Sequence, residues 1–574
     1  MASSSLFIIS IDFGTSYSGY CFSLASGTDQ IRQVYWGIEH GQKTVKTPTC
    51  ILFNQNQEFK KFGYDAVMKY KNLPSSEAHK WYFFQNFKMS LYNRKITSDM
   101  RLEASNGKTL PALLVFAESL RYMEQHALNT IQEASFNTVC DPEEITWVIT
   151  VPAIWSSGAR QFMRLAAKEA GLISDMLSEK LIIALEPEAA SLWCKQLPQE
   201  GFLSEGSNKK KFEDSPGIQY VVVDCGGGTV DITVHEIQEN HRVKEVHKAS
   251  GGGWGGNRVD ENFSQFLREI FDGGVWDEYV QNYPTELQQM MYNFTLQKCT
   301  ADREEVYLHC YYNLTRLAGE KKDISHFFEK VTGAAWCDGM IMITNEKMKS
   351  FFEYSIKNMI AALREILDKP EMAKVKYILL VGGFASSIIV RDEIKQAFSE
   401  QYHILCPVEA QLAIAKGAVL FGINPEIITS RISARTYGVS VCREFDAAIH
   451  DASKRRVSKA DGYVYCEGLF EKLVGTGESV NINEVAQYIF KPTEPDQTTA
   501  TFAFYSTEKQ DAQYVDEEGL EVLGSCSVPI PDTKLGRNRK LSLDIKFGLT
   551  EFKATATDLT SKQSRTITID FLAV

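Results

Sequence analysis

The chain has 574 residues, 44% of them hydrophobic and 23% charged, and its 61 Lys and Arg against 73 Asp and Glu leave a net charge of −12. That length exceeds the roughly 250 to 300 residues one hydrophobic core supports, and implies two to four soluble domains. The acidic balance excludes a general binder of nucleic-acid backbone, and with no uninterrupted apolar run of about 18 residues nothing reads as a membrane span.

The start, MASSSLFIISIDFG, lacks a basic leader and runs directly into a strand, so no signal peptide is expected. Twelve cysteines scattered from Cys21 to Cys526 without a CxxC pair read as buried reduced thiols, which fits the cytosol or nucleus. LFIISIDFGTSYSGYCFSL is an apolar run, a polar turn around Gly14 to Ser18, then a second strand. Ile145 to Pro152 reads as a buried strand. Ser156 to Gly171 follows as a helix, capped by Ser156 or Ser157, with Phe162, Leu165, Ala166 and Ala170 on one face and Gly171 as its stop. Pro198 to Pro216 is polar and charged, a surface loop whose three lysines read as a solvated run.

The stretch YVVVDCGGGTVDITVHE, Tyr220 to Glu236, then repeats the opening plan of strand, Asp, glycine turn with a hydroxyl, strand. After it, Lys376 to Phe384 reads as a strand ending in a glycine turn, followed by a helix from Ile388 to Phe398. The two halves therefore look like two α/β lobes of one design. Beyond a boundary at Gly422 to Ser433, segments such as TTATFAFYST and RKLSLDIKFG alternate apolar and polar residues with period two, the pattern of half-buried antiparallel strands.

A lone glycine cluster is commonly a plain hairpin. Two matched ones are a different matter: facing each other across a cleft, they would offer main-chain N–H groups from both sides to a polyphosphate. Asp12 and Asp224, at the strand ends, are hard oxygen ligands suited to a hydrated Mg²⁺, and Thr15 and Thr229 add hydroxyls.

IDFGTSYSG, VITVPAIWSSGARQ, LEPEAASL, VDCGGGTVDITV and LLVGGF resemble, in order, the phosphate, connecting and adenosine segments of the 70-kilodalton heat-shock chaperones. GGWGGNRVDENF, AIAKGAVLFG and RTYGVSV look most like the atypical branch usually called member twelve. The resemblance implies an α/β, actin-like two-lobed ATPase, with duplicated ribonuclease-H-like lobes, followed by an all-β substrate-binding-type domain. Its divisions would be a nucleotide-binding domain over 1–425 (lobe I about 5–215, lobe II about 216–425), a linker at 426–432, and a β-rich domain over 433–574 without a helical lid. It further implies that Asp12, Asp224 and Asp231 surround Mg²⁺ through its waters, that Glu186 polarises the attacking water and that Lys88 lies beside the γ-phosphate of ATP; an exposed lysine on an amphipathic segment is the other reading of Lys88. Gly14, Thr15, Ser16, Tyr17, Gly226, Gly227, Gly228 and Thr229 would line the phosphates, and Gly255, Gly256, Lys298, Gly382 and Gly383 the nucleoside of ATP or ADP.

Three features depart from the family pattern. Thr295 stands where an acid is usual, Phe384 replaces the serine of a GGS turn, and Gln411 replaces an aspartate. The linker NPEIITSRIS also lacks the acidic-leucine run through which the family couples its domains. Expected partners are client proteins or peptides, with cochaperones or signalling proteins beside them. Two competing functions are a nucleotide-sensing scaffold without turnover and, on the same fold, a sugar kinase.

Overall fold

The computed structural model describes residues 5–27, 30–134, 141–203, 212–299, 305–547 and 552–568. The three lysines at 209–211 and the last residues, where an ending without a lid is expected, lie outside them.

Lobe I is a six-stranded sheet. Its hairpin β1 (Phe7–Phe13) and β2 (Tyr17–Leu24) is antiparallel, and the two-residue β3 (Thr47–Pro48) pairs with β2. Beside β1 and parallel to it runs β4 (Ile145–Val151). Helix α1 (Ser157–Ala170) then leads to the parallel strand β5 (Leu181–Leu185), which enters α2 (Glu186–Gln196). The sequence accounts for α1 closely: the Ser156 hydroxyl accepts the Ala159 N–H at 3.2 Å, and Gly171 ends the helix at φ 101°.

Lobe II repeats the plan. Hairpin β6 (Gln219–Cys225) and β7 (Val230–Ile237) is followed by β8 (Val243–Gly252) and by helices α3 (Asn257–Ile270) and α4 (Pro284–Cys299). Strand β9 (Val375–Val381) joins β6 in parallel, α5 (Ile388–Phe398) crosses to β10 (His403–Leu405), and α6 (Ala413–Ile423) is the counterpart of α2. In both lobes a hairpin strand is extended by two parallel strands and then a helix, so the hairpin turns sit at equivalent places. Fully buried strands, β4 and β6 among them, follow from sheets covered on both faces.

Helices α2 and α6 pack against each other between the lobes, so closely that a Cβ on Gly417 would lie 1.6 Å from the Ala189 carbonyl oxygen. The segment expected as a linker is largely structured. Pro425–Ile427 forms a 3₁₀ turn and β11 (Ile428–Ile432) adds to the lobe II sheet, parallel to β8 on one side and antiparallel to β12 (Ser479–Asn481) on the other. Main-chain pairing needs no acidic-leucine run, only an open edge, and β8 supplies it. Past β11, and apart from β12, the described residues form a five-stranded and a four-stranded sheet around Val439, Phe502, Phe504, Val528, Leu543 and Ile545.

Eight of the ten described cysteines are buried; Cys337 and Cys442 are exposed, which corrects the expectation for those two. Both fall at the ends of half-covered strands, where alternation turns one side to solvent. Among the described residues no helix is long and apolar enough to cross a membrane.

The joint between lobes and β-domain is charged and buried. Arg431 on β11 donates two hydrogen bonds to Glu188 on α2, at 2.6 and 2.5 Å, and the Ile432 N–H donates to Glu245 Oε2 at 2.8 Å. Burial pushes the Glu245 carboxyl up to about 8; Glu188 adds to the rise, while the Ile432 N–H, Arg431 and Arg160 oppose it. Between the usual carboxylate value of 4.5 and about 8, the folded chain thus holds a proton at Glu245 that the unfolded chain releases. The stability it contributes is complete below 4.5 and is lost as pH rises through about 8. The melting temperature should fall by a few degrees between pH 5 and 9, and Glu245→Gln, which cannot ionise, should flatten that slope.

Candidate functional site

The two glycine turns meet across the cleft. The Ser16 hydroxyl of lobe I donates to Asn257 Oδ1 of lobe II at 2.7 Å, a Cβ on Gly227 would lie 2.2 Å from Ser16 Oγ, and one on Gly228 would lie 2.7 Å from Thr15 Oγ1. A side chain at Gly227 or Gly228 would have to displace Ser16, or Met89 and Thr15, from the cleft.

On the lobe II turn, the carbonyls of Gly226, Gly227 and Gly228 accept N–H groups from Gly256, Asn257 and Gly255, at 3.1, 2.7 and 3.2 Å. A trans peptide points its C=O and the next N–H in opposite directions. The N–H groups of Gly227, Gly228 and Thr229 therefore face away from residues 255–257 and are available to an anion. On the lobe I turn, Thr49 plays the same part, its hydroxyl donating to the Gly14 carbonyl and its N–H to that of Ser16, both at 2.8 Å. The N–H groups of Thr15 and Tyr17 are thereby turned the other way. Gly255 is what permits the close approach, since a Cβ there would lie 2.5 Å from the Gly227 carbonyl oxygen.

The acids gather beneath these turns. Asp224 and Asp231 face each other across the β6/β7 hairpin, Asp12 ends β1 and Glu186 begins α2; all four are buried. Asp12 Oδ2 receives the Lys46 ammonium at 2.6 Å, Asp231 Oδ1 receives the Ile154 N–H at 2.9 Å and Glu186 Oε1 receives the Lys88 ammonium at 2.7 Å. Asp224 Oδ1 and Asp231 Oδ2 are buried without a hydrogen-bond partner. Burial holds the Asp224 carboxyl well above the usual carboxylate range, with Glu186, Asp231 and Asp12 adding repulsion. Glu186 is raised to about 7 by burial against the pull of Lys88, and burial raises Asp231 as well.

Two orphaned carboxylate oxygens among four buried acids, with the Lys46 and Lys88 ammonium groups as the cations paired with them among the described residues, are oxygen donors of the kind that could hold a divalent cation. The acids do not converge on a bare ion. Among the described residues the one trio of potential ligands within 4.8 Å of one another is Glu39, His40 and Asp65, elsewhere on lobe I. A divalent ion at these acids would therefore be held through its waters, by Asp12, Asp224 and Asp231.

Lys88 is 1% exposed and lies 5.1 Å from the Trp155 ring, so the reading of it as an exposed lysine is corrected: the apolar residues around it bury it against Glu186. Its 3₁₀ turn, Phe87–Leu91, is held in the lobe I core by Phe87 and Leu91. Gly382, at φ 86°, lies against Asp224, where a Cβ would come within 2.4 Å of Oδ1. Lys298 is spoken for, donating to the Gly256 carbonyl at 3.0 Å and to both oxygens of Asp260 at 2.7 Å. Phe384 is buried beside Gly256 and stacks with Phe352 at 5.9 Å, and Thr295 only bonds back to the Met291 carbonyl within α4. A cavity of about 430 Å³ opens off the lobe II turn, lined by Asn86, Met89, Gly228, Asn257, Asp260 and Met291 among others. Sequence reasoning missed Lys46, Thr150, whose hydroxyl donates to Asp12 Oδ1 at 3.4 Å, and Asn257. Thr150 and Asn257 lie within motif segments, VITVPAIWSSGARQ and GGWGGNRVDENF, without being marked there as site residues, and Lys46 lies in none; each reaches the site from a separate strand or helix start.

The model of the Hsp70 protein family matches residues 8–424. The chain belongs to the Hsp70 family. It is 34% identical to mouse heat shock 70 kDa protein 12A over 99% of this chain and 92% of that protein. It is also 34% identical to human heat shock 70 kDa protein 12B over 99% of this chain and 91% of that one. A more distant Hsp70 relative, the chaperone protein HscA homolog of Rickettsia prowazekii, is 26% identical over 48% of this chain and 36% of its own length. Hsp70 membership supports an ATP-binding, chaperone-like role in general terms and agrees with the lobed α/β architecture.

Proposed function

We propose that this chain is a magnesium-dependent ATP-binding, chaperone-like protein whose slow ATP hydrolysis is coupled to the binding of client proteins or peptides. The observation that carries this reading is the buried set Asp12, Glu186, Asp224 and Asp231, with two unpartnered oxygens, beside a glycine turn whose Gly227, Gly228 and Thr229 N–H groups face away from residues 255–257. In this reading the turns at Gly14–Tyr17 and Gly226–Thr229 grip the phosphates, while Asp12, Asp224 and Asp231 hold Mg²⁺ through its waters. The metal would neutralise and fix phosphate charge. Glu186, poised by burial to exchange a proton near pH 7, orients the attacking water through its carboxylate, and Lys88 holds the terminal phosphate.

Residues 1–425 are then the nucleotide-binding domain and 433–574 the client domain. Coupling between them runs through α2, whose first residue is Glu186 and whose third, Glu188, grips Arg431 of the joining strand. Such a link need carry only about 1 to 3 kcal/mol. Arg431→Ala leaves Glu188 buried and unpaired, so it should release the joining strand and abolish any change in ATP turnover on adding unfolded peptide. Steady-state turnover with and without peptide checks this.

Single-turnover hydrolysis of ATP tests the main reading: cleavage should occur and fall about 100-fold or more in Glu186→Ala. A second reading, a nucleotide-sensing scaffold that contacts signalling or cochaperone proteins, is favoured by the occupied nucleoside end, where Lys298 is engaged by Asp260 and Phe384 is packed at Gly256. Bound but uncleaved ATP would select it.

A further inference from the structure

Lys46 occupies an unusual position. Its stem crosses β2 at Gly19, where a Cβ would lie 3.0 Å from Lys46 Cγ and 3.1 Å from the Val45 carbonyl oxygen. Pairing of Thr47 with Ser18 sets the register, and the Thr44 hydroxyl donates to the Lys46 carbonyl at 2.8 Å. The side chain is about nine-tenths buried and ends 2.6 Å from Asp12 Oδ2, at the foot of the lobe I phosphate turn. An ammonium has three donors. Among the described residues Asp12 is the one group that receives a hydrogen bond from this one, so its charge is paired there while two of its three donors can still serve a ligand.

We propose that Lys46 is a built-in cation of the phosphate site, held on Asp12 so that polyphosphate binds with little dependence on divalent metal. The proposal rests on the nucleotide reading above and narrows its magnesium dependence from ATP binding to ATP cleavage. A fixed ammonium delivers to the phosphates a positive charge otherwise brought only by the ion, and it engages an Asp12 oxygen that the ion's waters would use. Asp224, Asp231 and Glu186 still accommodate Mg²⁺ when it is present, so the metal adds to binding without being its condition. A purely structural Lys46–Asp12 pair would leave the metal dependence of binding unchanged.

Calorimetric titration of ATP into the full chain, in Mg²⁺ and in EDTA, tests this without reference to hydrolysis. The natural protein should lose less than about 10-fold in affinity on chelation, whereas Lys46→Met should lose about 100-fold or more and recover most of it in Mg²⁺. Equal losses in the two proteins, or loss of binding by the natural protein in EDTA, would overturn the proposal while leaving the nucleotide reading intact. Absence of ATP binding in either buffer would remove both. The natural protein alone decides the case if the variant does not fold. As a ligand-free check, Lys46→Met should melt roughly 5 °C lower than the natural protein, with MgCl₂ restoring part of the difference.

Discussion

Asp224→Asn should raise the melting temperature of the ligand-free protein and at the same time remove most of the gain in ATP affinity that Mg²⁺ supplies, up to about 10-fold. Both effects come from one oxygen. Asp224 Oδ1 is buried without a partner, and its ionised form is disfavoured first by burial and then by repulsion from Glu186, Asp231 and Asp12, which Lys46 offsets only in part. The amide has the same shape, fits the close contact with Gly382 and carries no charge. The sign with pH follows from the raised carboxyl: the folded acid is at its most favourable below the usual value of 3.8, and that contribution is lost as pH rises through its folded value. The advantage of Asn should accordingly grow as pH rises above 3.8, and thermal melts over a pH series measure it. With Mg²⁺ and ATP the order reverses, because the charge that destabilises the empty site is the one the metal needs. A site that sacrifices stability for ligand charge behaves this way; a merely structural aspartate would lose stability on the same substitution.

Gly417→Ala should be among the most damaging single-methyl changes in the chain. The added carbon would lie 1.6 Å from the Ala189 carbonyl oxygen and 2.4 Å from its carbon, both main-chain atoms of α2 that cannot rotate aside. Relief requires α2 and α6 to separate by more than 1 Å, which opens the apolar layer of Val148, Ala184, Ala415 and Val419 between the lobes. Overpacking against backbone lies at the upper end of the usual range, about 3 kcal/mol or more. Since α2 begins with Glu186, the same shift draws that carboxylate from Lys88, and ATP cleavage should fall with stability. Gly319→Ala, at a helix end where nothing lies within 4 Å of the added carbon, is the control and should be neutral or slightly stabilising. Urea midpoints for the two variants check the contrast.

The paired hairpins were legible because strand, acid and glycine turn are adjacent in sequence, and their repetition marks duplication. Helices α1 and α5 were legible for a similar local reason: Ser156, Gly171 and the apolar spacing of Ile388 to Phe398 are written within a dozen or so residues. What escaped depends on distant partners. The strand at Ile428–Ile432 exists because β8, far upstream, presents an open edge, and nothing within NPEIITSRIS announces it. The Glu188–Arg431 pair joins positions 243 apart. Lys46 lies in a segment, TVKTPTC, whose only sign of importance is the pairing that carries it over Gly19 to Asp12. Phe384 was legible as a departure from the family turn, and its packing beside Gly256 gives that departure a physical meaning.

The central claim is that one polyphosphate is gripped from both lobes at once, and hydrogen exchange measured by mass spectrometry, with and without Mg²⁺-ATP, addresses it directly. The account predicts that amides in 12–17 and in 224–229 slow together, by about 10-fold or more, at the same ATP concentration. Protection of one turn with the other unchanged, or of neither while ATP is bound, would contradict it.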